Sequence, residues 1–227
     1  MAFLRPLITR CRAMSIFQGR RRHILSAFVA AFLFGFGADP AMAAAQKFLR
    51  MPDVRQIGED GAGAAVLQAV LAYYGLDARQ DVLRHRLTER GGKPNDYRQI
   101  LRVIKEYGLK ATVMNRMTEQ QLREQIEKDF PVIVAVQAWV EGGATRSITD
   151  WARRKDNGHW LVALGYDDMA FCFEDPAIFG IGAIRRDAMP FRWHDYDAGG
   201  NRLEHVGIVV EGPSPGRYDP SIAVPIN

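Results

Sequence analysis

The stretch at residues 56–75, QIGEDGAGAAVLQAVLAYYG, carries the clearest structural signal in the chain. From Gly61 onward it holds no charged residue, and Gly75 stands where a glycine commonly ends a helix. Its apolar positions follow the i, i+3, i+4, i+7 spacing of one helix face, and they are Val66, Ala69, Val70 and Tyr73. We therefore predict a helix from about residue 61 to 74 that buries one face.

The segments that follow change from a helical to a strand-like pattern. Helices are predicted at 80–88, at 96–107 with Asn95 or Asp96 as its cap, and from Thr118, where Gln121 completes a capping box, to about 128. Short runs rich in Val, Ile, Leu and aromatic residues predict strands, namely 109–114, 131–139, 159–166, 170–174 and 206–211. Helices come first and most strands later, which favours the segregated α+β class.

The N-terminus has the pattern of an export signal. Residues 1–22 carry six Arg and no acidic residue, and an apolar run from Ile24 to about Gly37 follows. That run is shorter than the roughly 20 residues that span a bilayer, and Ala-Met-Ala at 41–43 supplies a small-x-small cleavage pattern. We expect residues 1–43 to be a cleaved signal peptide; an uncleaved N-terminal anchor is the alternative. Arg21 and Arg22 resemble a twin-arginine signal, although an ordinary basic leader accounts for them equally well.

The charge of the chain belongs largely to this leader. The 227 residues hold 30 Lys and Arg against 26 Asp and Glu, a formal charge of +4. Six of the basic residues and one acidic residue lie within 1–43, which leaves 24 basic against 25 acidic residues and a net charge of about −1. A mature domain so close to neutral gives no support for nucleic-acid binding.

Three segments resemble the C39 (bacteriocin-processing) cysteine peptidases, which have a papain-like fold. Residues 56–67, continuing to Tyr-Tyr-Gly at 73–75, resemble the first active-site segment of that family. Residues 157–167, NGHWLVALGYD, resemble its histidine segment, and residues 173–177, FEDPA, its Asp-Pro segment. The segments lie in the family's order, and the resemblance covers about residues 51–212. It implies N-terminal helices packed on an antiparallel sheet, within a single domain that spans residues 44–227.

The resemblance also implies site residues. Gln56 matches the oxyanion donor, His159 the general base and Asp175 the residue that orients the histidine. The position of the nucleophilic cysteine falls on Ala62, which has no group that attacks a carbonyl. On the family mechanism, this chain should therefore not cleave peptides.

Five other residues are candidate substitutes for the missing nucleophile or for an acid or base. Cys172 lies three positions before Asp175 on one predicted strand, so the two side chains should face opposite ways. Ser147 and Thr149 lie in the long loop before His159. Glu59 and Asp60 precede the first helix, where carboxylates are common. His194, Asp195 and Asp197 lack regular metal-ligand spacing, so a turn is expected there rather than a metal site.

Two functions from different classes follow. The first is an exported pseudopeptidase, periplasmic or secreted, whose cleft binds a peptide or protein, with a component of a secretion or export system among the candidate partners. The second is an active hydrolase or transferase that uses a relocated nucleophile or a water activated by His159. Neither function requires a cofactor or metal. We expect no membrane-spanning segment in the chain once the signal peptide has been cleaved.

Overall fold

The structure, a computed structural model, describes residues 47–140 and 147–213. The predicted signal peptide lies outside these residues. Within them, the helices are α1 (Ala62–Tyr73), α2 (Gln80–Thr88), α3 (Tyr97–Glu106), α4 (Glu119–Glu127) and the short α5 (Met189–Arg192). The four helices expected from the sequence are confirmed, each within about two residues of its predicted bounds.

Local sequence signals explain where the helices begin. The Asp96 side chain accepts a hydrogen bond from the backbone N–H of Arg98 and caps α3. The predicted capping box opens α4, since the Thr118 hydroxyl accepts from the Gln121 N–H and the Gln121 side chain accepts from the Thr118 N–H. The expectation that α1 buries only one face is wrong, since ten of its 12 residues are buried. Its remaining faces carry Ala and Gly, which are small enough to be packed against neighbouring elements as well.

Six antiparallel strands form the main sheet, in the order β1-β8-β2-β3-β4-β5. Their bounds are Lys110–Met114 (β1), Val132–Gln137 (β2), Gly158–Tyr166 (β3), Ala170–Glu174 (β4), Ile181–Arg185 (β5) and Gly207–Glu211 (β8). A separate hairpin pairs β6 (His194–Tyr196) with β7 (Arg202–Glu204). Helices packed on an antiparallel sheet confirm the α+β class and the layout expected from the family resemblance.

The turn expected at residues 194–197 is wrong. His194, Asp195 and Tyr196 form β6, and the turn begins only at Asp197. The Asp197 carboxylate accepts hydrogen bonds from the backbone N–H groups of Gly199 and Asn201, both at 2.9 Å, and so closes the hairpin. A three-residue strand is too short to show an alternating pattern, which is why the sequence did not reveal it.

The segment before α1 crosses the sheet as a strap, residues 47–56. The Leu49 N–H donates to the Leu164 carbonyl at 2.8 Å, and Phe48 forms an isolated bridge with Gly165. A Cβ at Gly165 would lie 2.8 Å from the Phe48 ring, so glycine is needed for this close approach. Further on, the Gln56 N–H donates to the Pro176 carbonyl at 3.0 Å. The strap thus delivers Gln56 to the end of β4.

No helix among residues 47–140 and 147–213 is long and apolar enough to cross a membrane.

Glu174 ties the strap to β4, and its burial generates a test of stability. This buried carboxyl accepts a hydrogen bond from the Val54 N–H at 2.8 Å, and burial raises its pKa from 4.5 to about 7. The folded state therefore binds the proton more tightly than the unfolded state, and wild-type stability falls as pH rises through about 7. Glu174→Gln keeps an acceptor for Val54 but removes the titration. Its unfolding free energy should exceed that of wild type by about 1–3 kcal/mol at about pH 8 and match it near pH 4, below the pKa of the unfolded state.

Denaturant unfolding at the two pH values measures this difference. Glu124→Gln, on the exposed side of α4, is the matched control and should follow wild type at both pH values. Equal stability of Glu174→Gln and wild type at the higher pH would contradict the assignment.

Candidate active site

A buried histidine–aspartate pair marks the candidate site. His159 is the second residue of β3, Asp175 follows β4 directly, and the antiparallel pairing of these strands brings them together. His159 Nε2 lies 2.8 Å from Asp175 Oδ1, and the two residues are 8% and 4% exposed. Because a carboxylate oxygen accepts hydrogen bonds, Nε2 donates and Nδ1 is left as the basic nitrogen.

The aspartate is itself held in place. Asp175 Oδ1 also accepts a hydrogen bond from the Ala177 N–H at 2.9 Å. Gly182 on the neighbouring β5 has no side chain, and a Cβ there would lie 3.1 Å from the Asp175 Cβ. The carboxylate therefore has little freedom to turn away from the imidazole.

Asn95 joins the start of α1 to the strand that carries the histidine. Its Oδ1 accepts from the Gly63 N–H at 3.0 Å, and its carbonyl accepts from the Trp160 indole N–H at 3.1 Å. A Cβ at Gly63 would lie 2.4 Å from the Pro94 carbonyl oxygen, so only glycine allows the contact. These links hold the beginning of α1 beside β3.

Ala62 is the first residue of α1 and is 3% exposed. The first turn of the helix has no acidic residue, and Gly61 at the cap offers no side-chain hydrogen bond. The positive end of the helix dipole is therefore not offset by a side chain from within that turn. A thiolate at this position would be stabilised by it, whereas the methyl group of Ala62 gains nothing.

Gln56 faces the same region from the strap. Its Nε2 donates to the Gly58 carbonyl at 3.1 Å, and its Oε1 is buried without a hydrogen-bond partner in the described structure. Gln56 and His159 both line an open groove of about 670 Å³, with Ala177, the residue that holds Asp175, beside them. The structure thus brings three of the four predicted site residues together, with Ala62 buried at the nearby helix start rather than lining the groove.

The groove offers few substitutes for a nucleophile. Its described lining includes Glu59, Arg154 and Asn157 but no hydroxyl, thiol or lysine side chain. Ser147 and Thr149 lie outside that lining, with their hydroxyl oxygens 2.8 Å apart at the start of a short 3-10 helix, Ile148–Arg153.

Two other candidate substitutes for the nucleophile, Cys172 and Asp60, also lie outside the groove lining. Cys172 is buried on β4, where alternation directs it to the face opposite Asp175. Asp60 lies 3.8 Å from the Arg84 guanidinium in an exposed ion pair. Of the five candidate substitutes for the nucleophile, Glu59 is therefore the only one that lines the groove in the part of the chain that the structure describes.

A polar cluster behind His159 has no recognisable pattern in the sequence. The Asp195 carboxylate lies so close to Gly158 that a Cβ there would be 2.3 Å from its Oδ1. Asp195 accepts from Gln137 Nε2 at 3.1 Å, and Gln137 Oε1 accepts from the Asn157 N–H at 3.1 Å. Burial raises the pKa of Asp195 to about 6, while its hydrogen bonds and the nearby His159 oppose the shift. The glycine before His159 was the one available signal, since it marks a close approach.

No group of three or more His, Cys, Asp or Glu side chains within residues 47–140 and 147–213 is arranged to hold a metal ion.

The fold is similar to those of solved peptidases. A C39-like peptidase from Bacillus anthracis aligns with a TM-score of 0.53 at 14% identity, over 74% of this chain and 98% of that one. A double glycine motif protease from an AMS/PCAT transporter, solved with its leader peptide, aligns at 0.48 and 20% identity over 72% and 92% of the two chains. The peptidase domain of Streptococcus ComA aligns at 0.47 and 19% identity over 69% and 95%. No curated protein sequence matches the chain.

The family comparison is more direct. The sequence profile of the Peptidase_C39 like family matches residues 48–195, which is well over half of the 227-residue chain. The match includes the strap, α1, the histidine strand and the Asp-Pro segment. The protein therefore belongs to the Peptidase_C39 like family.

Proposed function

We propose that this protein is an exported pseudopeptidase, a C39 peptidase-like domain that binds a peptide or protein in its groove without cleaving it. The observation that carries the proposal is the position of Ala62. It is the first residue of a helix held beside a buried His159–Asp175 pair, and it has no reactive group.

The remaining groups cannot replace the missing step. Peptide cleavage by such a site begins with a bond between a thiolate and the scissile carbonyl carbon. An imidazole and an amide donor orient and polarise a bound peptide, but neither forms the acyl-enzyme. Removal of a nucleophile from a site of this type costs several powers of ten in rate.

The groove has the features of a peptide-binding surface. Trp139 on its wall is 52% exposed, and Ile57, next to Gln56, is 64% exposed. Large exposed apolar side chains beside a concave surface are characteristic of binding sites. Glu59, Arg154 and Asp156 place both signs of charge along the same groove. An extended peptide would meet both apolar and polar contacts there.

The export part of the proposal rests on residues 1–43. The six arginines, the short apolar run and the Ala-Met-Ala motif direct the protein to the periplasm or outside the cell. A component of a secretion or export system in that compartment is a partner of the required kind, since such systems present extended peptide segments.

Reconstitution of the nucleophile tests the assignment of position 62. The Ala62→Cys thiol should have a pKa well below the usual value of about 8.5, because the α1 N-terminus and His159 both favour the thiolate. The rate of alkylation by iodoacetamide should therefore reach half of its maximum at a lower pH, by about one unit or more, than for a thiol placed elsewhere on the helix.

Ala72→Cys is the matched control, since Ala72 lies on the last turn of the same helix and is partly exposed. The wild-type protein, which carries Cys172, serves as the blank. If the alkylation rates of both engineered thiols have the same pH dependence, Ala62 does not occupy the nucleophile position.

Turnover measurements separate the two functions. Incubation of the purified mature protein with a peptide library should give no cleavage products by mass spectrometry, for wild type and for His159→Ala alike. Turnover by wild type that disappears in His159→Ala would instead establish the hydrolase with a relocated nucleophile or an activated water.

The export signal is tested by the mass of the product. Expression of the full chain in a bacterial host should yield an extracytoplasmic protein that begins at Ala44, as measured by intact mass. Lysine substitution of Arg21 and Arg22 should block export only if the twin-arginine route is used. A membrane-bound product that retains residues 1–43 would show an uncleaved anchor.

A further inference from the structure

A second cavity adjoins the groove, and we propose that it binds the C-terminal residue of a peptide, with the apolar side chain in the cavity and the carboxylate on Arg192. The inference rests on the proposed peptide-binding function and names the end of the peptide that the protein recognises. The cavity has a volume of about 380 Å³, near the lower end of the roughly 300–1,000 Å³ range of small-ligand sites.

The lining of the cavity is mostly apolar. Leu161 of β3, Phe173 of β4 and Ile184 of β5 contribute from the sheet, and Trp151 contributes from the short 3-10 helix. Ile178, in the loop after Asp175, completes this apolar surface. Transfer of one large apolar side chain from water into such surroundings is favourable.

Arg192 places a guanidinium at the cavity, and only one of its nitrogens donates a hydrogen bond within the described residues. Its Nε donates to the Gln137 carbonyl at 3.0 Å, and its guanidinium carbon lies 4.2 Å from the centre of the Trp151 ring. Neither Nη has a hydrogen-bond acceptor among the residues that the structure describes, although Arg192 lines the cavity. Burial lowers the pKa of Arg192, which shows that the charge lies in poorly solvated surroundings. Two parallel N–H donors of a guanidinium match the two oxygens of a carboxylate.

Asp175 also lines the cavity and attracts the Arg192 guanidinium through space, which opposes the lowering of its pKa, but the two side chains form no direct ion pair. Asp175 Oδ1 is occupied by His159 Nε2 and the Ala177 N–H. Within residues 47–140 and 147–213, no carboxylate lies within 4.0 Å of the Arg192 guanidinium nitrogens. An anionic ligand would therefore find a guanidinium that no direct ion pair compensates.

Trp139 separates the cavity from the groove. Ala138, Trp139 and Val140 line both. The Trp139 backbone has φ 53°, in the left-handed region that is unfavourable for a bulky residue, and Asn157 Nδ2 donates to its carbonyl at 3.1 Å. Strain of this kind is characteristic of functional segments, and here it sets the indole between the two spaces.

The chemistry of the lining identifies the ligand. Apolar side chains and a guanidinium line one cavity, which shares the wall formed by Ala138, Trp139 and Val140 with the groove. A peptide that ends in an apolar residue carries a side chain and a carboxylate on that one residue, and these match the two kinds of group in the lining.

Paired ligands test the proposal directly. Two peptides of identical sequence that end in Phe, one with a free carboxylate and one amidated, are titrated into the purified mature protein by calorimetry. N-acetylphenylalanine and its amide probe the cavity alone. In each pair the acid should bind at least about tenfold more tightly, because a charge-assisted bidentate contact is lost in the amide. Equal affinities within both pairs would overturn the proposal.

Substitutions assign the preference to Arg192. Arg192→Gln should remove the preference for the free acid over the amide. Arg153→Gln is the control and should retain this preference, because the Arg153 side chain is 83% exposed on the 3-10 helix and lies outside the cavity lining. Loss of the preference in both variants would show that it arises from the overall positive charge and not from a contact with Arg192, and would overturn the proposal. If thermal melting shows that Arg192→Gln does not fold, Arg192→Lys replaces this variant. It should reduce the preference for the acid several-fold, since an ammonium lacks the planar pair of N–H donors of a guanidinium. An undiminished preference in Arg192→Lys would overturn the proposal.

Failure here is distinguishable from failure of the proposed function. If both peptides bind equally and Ala138→Trp, which fills the shared wall, abolishes their binding, the groove is a peptide site and the cavity is not. If neither peptide binds but N-acetylphenylalanine is preferred over its amide, the carboxylate site stands without the peptide-binding function.

Discussion

The hydrogen bond between His159 and Asp175 is the interaction on which the rest of the site depends. Both groups are almost wholly removed from solvent, and a buried polar group without a partner costs about 1–3 kcal/mol. The pair therefore requires the register of β3 and β4 that brings it together, and this register sets the neighbouring positions. On one side it directs Trp160 toward Asn95 and the start of α1; on the other it places Asp175 at the wall of the second cavity. A protein that performs no covalent chemistry would still keep this pair, because its loss would disturb both surfaces.

Much of the fold could be predicted from the sequence because its signals are local. The uninterrupted small and aliphatic residues of α1, the Asp96 cap and the Thr118–Gln121 capping box each act within a turn or two of helix. The central strands carry enough consecutive β-branched and aromatic residues to be recognised. The spacing of Gln56, His159 and Asp175 was recognised through a family resemblance, and the structure places them around one groove. Their roles in binding remain predictions.

The parts that the sequence did not reveal arise from contacts between distant residues. β6 is three residues long and is stabilised by pairing with β7, not by its own pattern. Asp195 reaches Gly158 only because Gln137 and the hairpin bring it there, so its spacing in the chain looks irregular. Arg192 was one cation among 30, and its burial beside Trp151 follows from tertiary packing. In each case the signal lies in a neighbour many residues away, which composition and periodicity do not report.

The position of β8 has a consequence for how the protein acquires its fold. The last strand of the sheet lies between β1 and β2, so β1 has no strand to pair with until residues 207–211 are available. The strap adds contacts between residues that are equally far apart in the sequence, since the Leu49 N–H donates a hydrogen bond to the Leu164 carbonyl. Pairings between such distant segments form slowly, because a long loop must close before any contact is gained. The main sheet can therefore be completed only after residues 207–211 have left the ribosome, so its closure follows the synthesis of the helices and of the other five strands.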